Sequence, residues 1–139
     1  MRIVLATDAV GQALRPIKVA TEYLQSFEDS LLTVLYVSNG KVSFYNHTPQ
    51  CLRQPESCKE YEHASYLEEK VHEVFHPWGR RVRFRHEIGN PVNTICQVAH
   101  DEQADLIIVG CHTQAQKSSP GPVSHGVLSR AKVPVLLAK

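Results

Sequence analysis

Short apolar runs along this chain alternate with segments in which apolar residues recur every three or four positions. Residues 3–6, 31–37 and 106–109 form nearly continuous apolar runs that are rich in β-branched side chains. Such runs are typical of strands that are buried on both faces, as in a parallel sheet. Residues 133–138, with Pro134 near the start, form a similar last run. The pattern therefore predicts four buried strands.

The segments between these runs have the periodicity of amphipathic helices. A first helix is predicted around Pro16, which a first turn tolerates because its missing N–H has no intrahelical partner there. The apolar face of this helix comprises Ala13, Ile17, Ala20, Leu24 and Phe27. A second helix is predicted from about Tyr61 to Phe75, closed by Pro77 and Gly79.

Two further helices complete this pattern. Asn90 and Pro91 have the residue types of an N-cap and a first helical position, so a third helix should begin there and end near Gln103. A short fourth helix is predicted over residues 123–131. Residues 38–57 have no period and contain prolines, which predicts a long exposed loop.

Residues 82–88 follow a different pattern, in which apolar and charged side chains alternate. One side of the alternation comprises Val82, Phe84, His86 and Ile88, and the other comprises Arg81, Arg83, Arg85 and Glu87. A period of two is typical of a strand that faces water on one side. We therefore predict a strand at a sheet edge, with these arginines and Arg80 on a solvated face rather than on a phosphate-binding surface.

Strands that alternate with helices predict an α/β domain whose parallel sheet is covered by helices on both faces. Because crossover connections are right-handed, the topology should be doubly wound, with ligands binding beyond the carboxyl ends of the strands. Asp8, Val37 and the loop after Val109 should therefore face one crevice. The length of 139 residues predicts a single domain over residues 1–139.

Composition narrows the functional classes. The 15 basic and 14 acidic side chains leave almost no net charge to attract polyanions, so no nucleic-acid partner is predicted. The first ten residues, MRIVLATDAV, carry too short an apolar stretch for a secretion signal or a membrane span, which predicts a cytoplasmic protein without a membrane partner. The sequence contains no serine elbow, P-loop lysine motif or HExxH motif, so an enzyme is not the favoured interpretation.

Several histidine and cysteine side chains have the chemistry of metal ligands. The candidates are His47, Cys51, Cys58 and His63 in one stretch, and the pairs His72/His76 and Cys96/His100 on predicted helix faces. None of these spacings matches a standard zinc pattern. We therefore predict that the fold requires no metal, because the core implied by five strands and four helices should suffice.

Four features of the sequence resemble the universal stress protein family and cover most of the chain in order. They are Asp8 after the first strand, Gly89-Asn90-Pro91 before the third helix, ADLIIVG at residues 104–110, and Pro134-Val135 in the last strand. Each alone would be a weak signal, whereas four in register are specific. The resemblance implies a three-layer, Rossmann-like α/β/α fold with a five-stranded parallel sheet of strand order 3-2-1-4-5.

The resemblance also implies a site for ATP or AMP. The family's ATP-binding members carry a loop of the form G-x-x-G, a longer spacer, and then G-S/T. The matching positions here are Gly110, Thr113, Gly121, Pro122, Val123 and Ser124. By resemblance, Asp8 and Val37 would hold the ribose and adenine, whereas Gly110, Gly121, Val123 and Ser124 would cradle phosphate.

This loop departs from the family's motif at two positions. Thr113 replaces the second glycine and disfavours a positive φ, and Pro122 replaces the Ser/Thr, so it offers neither an N–H nor a hydroxyl. The spacer is also shorter than the family form. Lys117, Ser118, Ser119 and Ser124 still offer a cation and hydroxyl donors that could contact an anion. The motif is therefore degenerate, and we expect ATP or AMP to bind weakly if at all.

Three functional hypotheses follow. The first is a stress-response or regulatory module that binds an adenine nucleotide weakly, the second is a nucleotide-free stress protein that acts through protein contacts, and the third is a weak ATP hydrolase. A homodimer is expected, because the strand at residues 133–138 would otherwise leave an apolar sheet edge exposed. An unidentified regulatory protein is the other expected partner.

Overall fold

A computed structural model describes residues 1–11, 14–38, 59–110 and 122–139 of the chain. Strands and helices alternate along these segments. The strands are β1 (Arg2–Ala6), β2 (Leu31–Ser38), β3 (Val82–Ile88), β4 (Leu106–Gly110) and β5 (Val135–Ala138). The α-helices are α1 (Arg15–Ser26), α2 (Lys59–Val74), α3 (Pro91–Asp101) and α4 (Pro122–Arg130), and a 3-10 segment (His76–Arg81) joins α2 to β3.

The five strands form one parallel sheet with the order β3-β2-β1-β4-β5, which confirms the predicted fold. Strand β1 lies at the centre, where Ile3 pairs with Leu32 of β2 on one side and with Leu106 of β4 on the other. Because all strand pairs are parallel, the carboxyl ends of β1, β2 and β4 lie at one edge of the sheet, and the winding direction reverses between β1 and β4. Strand β3 lies at an edge, as its alternating pattern predicted.

Side chains of the central strands point alternately into two separate cores, because successive residues of a strand face opposite sides of the sheet. Helices α1 and α2 cover one face, where Ile17 and Phe75 pack with Leu5. Helices α3 and α4 cover the other face, where Ile95 and Val127 pack with neighbouring strand residues. The three-layer arrangement therefore follows from strands that are apolar on both sides.

Two helices, α1 and α3, begin with the residues that the sequence predicted for a first turn. Pro16 lies in the first turn of α1. The Asn90 side chain accepts a hydrogen bond from the Asn93 N–H at 3.0 Å, so Asn90 is the N-cap of α3 with Pro91 following it. The predicted positions of all four helices are confirmed to within a few residues.

Two side chains expected on buried faces are exposed. Phe27 lies just after the last residue of α1 and is 42% exposed, because the chain leaves the helical path there. Ile88 is 48% exposed and is the last residue of β3. The last strand begins at Val135 rather than at residue 133. The loop predicted at residues 38–57 lies outside the described residues except for Ser38, which belongs to β2.

Arg81, predicted to face solvent, instead stabilises the end of α1. Its guanidinium donates to the carbonyl oxygens of Ser30 and Leu24 at 3.0 and 2.9 Å, and also to the carbonyl of Phe27 and to the Ser30 hydroxyl. The last carbonyls of a helix have no intrahelical donor. A cation that donates hydrogen bonds to them therefore stabilises the helix end. In the part of the chain that the structure describes, no helix is long and apolar enough to cross a membrane.

Candidate functional site

The first predicted site residue, Asp8, lies in a turn directly after β1. The Thr7 N–H still donates to the Leu35 carbonyl of β2, and the Thr7 hydroxyl donates to the Ala9 carbonyl at 2.7 Å, which turns the chain. Asp8 is exposed. It does not cap α1, because Leu14 is the N-cap of that helix and makes no side-chain cap bond. Asp8 therefore has no helix-capping role, although an Asp after a strand often caps the helix that follows.

A histidine of α2 reaches the same turn. The Nε2 atom of His63 lies 2.9 Å from the Asp8 carbonyl oxygen, and the His63 ring contacts the Tyr36 ring edge-on at a centroid distance of 5.1 Å. Tyr36 also stacks on His86 of β3. These rings line the carboxyl ends of β2 and β3 beside Asp8, and sequence reasoning considered His63 only as a metal ligand. No sequence signal links His63 to Asp8, because the contact depends on how α2 lies across the sheet.

Val37, the second predicted contact for the adenosine part, lies one residue before the end of β2. It pairs with Glu87 of β3, and its side chain packs against the core between the sheet and α3. Ser38 follows it, and its hydroxyl lies 2.7 Å from the Nε2 atom of His86. The end of β2 is therefore held on its β3 side.

On the other side of the crevice, Gly110 and Ser124 are brought into direct contact. The Ser124 side chain is buried, and its hydroxyl donates to the Gly110 carbonyl at 2.6 Å. This bond ties the end of β4 to the first turn of α4. A hydroxyl offers one donor, so the Ser124 donor is used within the fold.

Gly110 also has a packing role. A β-carbon added at Gly110 would lie 2.8 Å from Cγ of Pro16, which is closer than such atoms approach in proteins. The absence of a side chain therefore lets the first turn of α1 lie against the end of β4. Packing against Pro16 therefore explains the glycine at the end of the ADLIIVG segment without any ligand.

The helix that follows the predicted phosphate loop starts at Pro122. Helix α4 spans nine residues, and its first residue has no N–H to offer an anion. Val123 is 39% exposed at this helix start. Thr113 and Gly121, the other two predicted site residues, lie outside the described residues, as do Lys117, Ser118 and Ser119.

The cysteine and histidine residues that the structure describes do not assemble into a metal site. No group of three or more His, Cys, Asp or Glu side chains in residues 1–11, 14–38, 59–110 and 122–139 is arranged to hold a metal ion. Burial raises the pKa of the Cys96 thiol, and the charge of Arg130 opposes this shift. Cys96 therefore remains a thiol at neutral pH and lacks the activation of a nucleophile. His47, Cys51 and Cys58 lie outside the described residues.

Comparison with known proteins identifies the family of this chain. The chain belongs to the universal stress protein family, whose family model matches residues 1–139. A search of curated protein sequences finds no match. The resemblance inferred from the four sequence features is thereby confirmed.

Solved structures share the fold over nearly the whole chain. The hypothetical protein MJ0577 has a TM-score of 0.73 at 23% identity, with 99% of this chain and 94% of that chain covered. A universal stress protein in complex with cAMP has a TM-score of 0.70 at 19% identity, covering 99% and 96%. The universal stress protein from Archaeoglobus fulgidus in complex with dAMP has a TM-score of 0.65 at 19% identity, covering 100% and 98%. Identities this low establish the shared fold only.

Proposed function

We propose that this chain is a regulatory module of the stress response that binds an adenine nucleotide weakly at the carboxyl ends of β1, β2 and β4. Asp8 and Val37 would contact the adenosine part, and Gly110, Thr113, Gly121, Val123 and Ser124 would lie around the phosphates. The cAMP and dAMP complexes of two structural neighbours support an adenine nucleotide as the ligand class. Doubly wound sheets bind ligands at this edge, which supports the location.

The observation that carries the proposal of weak binding is the buried hydroxyl of Ser124. That hydroxyl donates to the Gly110 carbonyl, so contact with a phosphate would require the bond to break. Pro122 supplies no N–H at the start of the same helix. The exposed Asp8 carboxylate, by contrast, has no capping duty that would compete with a ribose. The adenosine side is therefore better preserved than the phosphate side.

A second candidate is a nucleotide-free homodimer that acts through protein contacts. Strand β5 forms the other edge of the sheet, and Val135, Leu136 and Leu137 are only partly buried in the single chain. An apolar edge strand is a template for pairing with another strand. A dimer through β5 is compatible with both hypotheses, since the crevice lies at strand ends rather than along this edge. Weak ATP hydrolysis is a third hypothesis and is not favoured, because Cys96 is not activated and the sequence lacks a standard catalytic motif.

Mass spectrometry of small molecules released from freshly purified, undialysed protein tests the proposed ligand class. We expect the protein to release less than one equivalent of an adenosine monophosphate, or none. Added AMP should bind saturably, and Asp8→Asn should weaken this binding. Asp105→Asn is the matched control, because the Asp105 carboxylate bonds the Arg2 N–H at the opposite end of the sheet. Absence of AMP binding at millimolar concentration would favour the nucleotide-free dimer instead.

A further inference from the structure

The turn that carries Asp8 is held by a hydrogen bond from a distant element. The Asp8 carbonyl oxygen lies 2.9 Å from Nε2 of His63, a residue of α2 that is 55 positions away in sequence. A carbonyl oxygen only accepts hydrogen bonds, so Nε2 of His63 carries the proton and is the donor. In the part of the chain that the structure describes, Asp8 makes no other hydrogen bond. The position of the Asp8 carbonyl therefore depends on α2.

The peptide group between Asp8 and Ala9 is bonded at both ends. Its N–H belongs to Ala9 and donates to the Thr7 hydroxyl oxygen at 3.2 Å, while its carbonyl accepts from His63. The atoms of a peptide group lie in one plane, so two bonds at opposite ends fix the orientation of that plane. This plane is attached to the Asp8 Cα and therefore limits the directions in which the Asp8 side chain can leave the backbone. Without His63, the Thr7 hydroxyl alone would hold this peptide group.

The imidazole ring of His63 is itself held by aromatic neighbours. It contacts the Tyr36 ring edge-on at a centroid distance of 5.1 Å and stacks on the Tyr66 ring at 6.3 Å. Tyr36 in turn stacks on His86 at 5.1 Å, and aromatic pairs at these separations attract each other. Leu67, one turn further along α2, is buried in the core, so the helix that carries His63 is seated on the sheet. The Nε2 donor is therefore presented to the turn in one orientation.

The orientation of Asp8 matters for the proposed ligand, because its carboxylate would contact the ribose. A hydroxyl that donates to a carboxylate lies about 2.5–2.7 Å from the accepting oxygen. A small rotation of the Asp8 backbone would move the carboxylate out of this range. A carboxylate that is already oriented before the ligand arrives also costs less ordering entropy on binding. A residue that fixes the Asp8 turn should therefore determine how strongly sugar hydroxyls are recognised.

We propose that His63 is a positioning residue of the nucleotide crevice at the carboxyl ends of β1, β2 and β4, where its Nε2–H orients the Asp8 carboxylate toward the ribose hydroxyls. The inference rests on the proposed function and narrows its ligand class to nucleotides that carry sugar hydroxyls. His63 acts through the Asp8 backbone rather than by contact with the ligand. The seating of α2 on the sheet consequently affects ligand affinity through one hydrogen bond.

Two variants separate this hydrogen bond from the packing of the ring. His63→Phe keeps an aromatic ring beside Tyr36 and Tyr66 but removes the donor. His63→Gln places an amide N–H as many bonds from Cβ as Nε2 is, so it retains a donor. His72→Phe, at an exposed position of the same helix, is the matched control. NMR titrations of the full chain measure the affinities for AMP and for dideoxy-AMP, which lacks both ribose hydroxyls.

The natural protein should bind AMP about tenfold more tightly than dideoxy-AMP, because the hydrogen bonds to the charged carboxylate are lost with the hydroxyls. His63→Phe should weaken AMP binding about five- to tenfold and change dideoxy-AMP binding less than about twofold. His63→Gln should restore most of the preference for AMP, and His72→Phe should leave both affinities within about twofold of the natural protein. A folding defect would instead weaken both ligands together and lower the urea midpoint.

The outcomes distinguish this inference from the proposed function. Equal weakening of both ligands by His63→Phe, or no rescue by His63→Gln, overturns the inference and leaves nucleotide binding intact. Absence of AMP binding by the natural protein at millimolar concentration refutes the proposed function and, with it, any role of His63 in ligand recognition. Imidazole nitrogen NMR shifts of the ligand-free protein in mildly alkaline buffer, where imidazole groups are neutral, provide a check without ligand. The Nε2–H tautomer is expected at His63, and the Nδ1–H tautomer would overturn the inference.

Discussion

Ser124 illustrates how one hydrogen bond decides what a motif residue can do. The family's motif gives the matching position a place in the phosphate cradle, whereas here its buried hydroxyl donates to Gly110. Hydroxyl donors that are satisfied inside the fold contribute to stability rather than to ligand binding. Ser124 therefore matches the family's motif by residue type, while its hydroxyl stabilises the fold.

The variant Ser124→Ala tests this assignment. It should lower the free energy of unfolding by about 1 kcal/mol, because the Gly110 carbonyl loses its donor, and should change ATP affinity less than twofold. Ser129→Ala, on an exposed position of the same helix, should change stability by less than about 0.5 kcal/mol. Urea denaturation and calorimetry measure the two quantities. A large loss of ATP affinity with unchanged stability would assign the hydroxyl to the phosphate instead.

The alternating pattern of residues 81–88 predicted that Arg81 faces solvent, whereas its guanidinium bonds the end of α1. Replacing it by Met should lower the free energy of unfolding by about 2–3 kcal/mol, since several carbonyls at the end of α1 lose a charged donor. Arg80→Met is the neighbouring control and should stay within about 0.5 kcal/mol. Equal effects of the two substitutions on the urea midpoint would show that Arg81 is only a surface charge.

At the scale of elements, the sequence predicted most helices and strands because their chemistry is local. The N-cap at Asn90 and the buried runs of β1, β2 and β4 depend on residues close together in sequence. The contacts of Arg81 with α1 and of His63 with the Asp8 turn join residues far apart in sequence, so no local pattern encodes them. Topology predicted that the carboxyl ends of β1, β2 and β4 meet at one edge of the sheet, whereas the side-chain contacts at that edge were not predictable.

The end of α3 allows a prediction about how this helix terminates. The helix was expected to end near Gln103 and ends at Asp101, with Gln103 at a φ of 55°. A residue in this left-handed conformation after a helix is usually glycine. Gln103→Gly should therefore raise the free energy of unfolding by about 0.5–1 kcal/mol, whereas Gln97→Gly inside α3 should lower it by about 1 kcal/mol. Urea midpoints that move in the same direction for both substitutions would contradict this explanation.

For the whole molecule, the exposed edge at β5 predicts self-association. The Pro134 carbonyl accepts from the Ile107 N–H of β4, so by the alternation along a strand the N–H of Leu137 points away from the sheet. Leu137→Pro removes this outward donor without removing a bond to β4, and should convert a dimer to a monomer in light scattering at tens of micromolar. Ile88→Asp, which places a charge at the opposite edge of the sheet, is the control and should leave the dimer intact. A monomeric natural protein would exclude the dimer. A dimer that Ile88→Asp disrupts would place the interface away from β5.

In the nucleotide crevice we expect the adenosine side to be preserved and the phosphate side to be impaired. The most direct measurement is calorimetry of ATP and adenosine binding to the natural protein and to the double variant Thr113→Gly with Pro122→Ser. Two lost hydrogen bonds to a charged phosphate weaken binding by roughly a hundredfold or more, so ATP should bind the natural protein poorly and gain more from the repair than adenosine does. Tight ATP binding by the natural protein, or an equal gain for both ligands, would show that the phosphate side is not impaired.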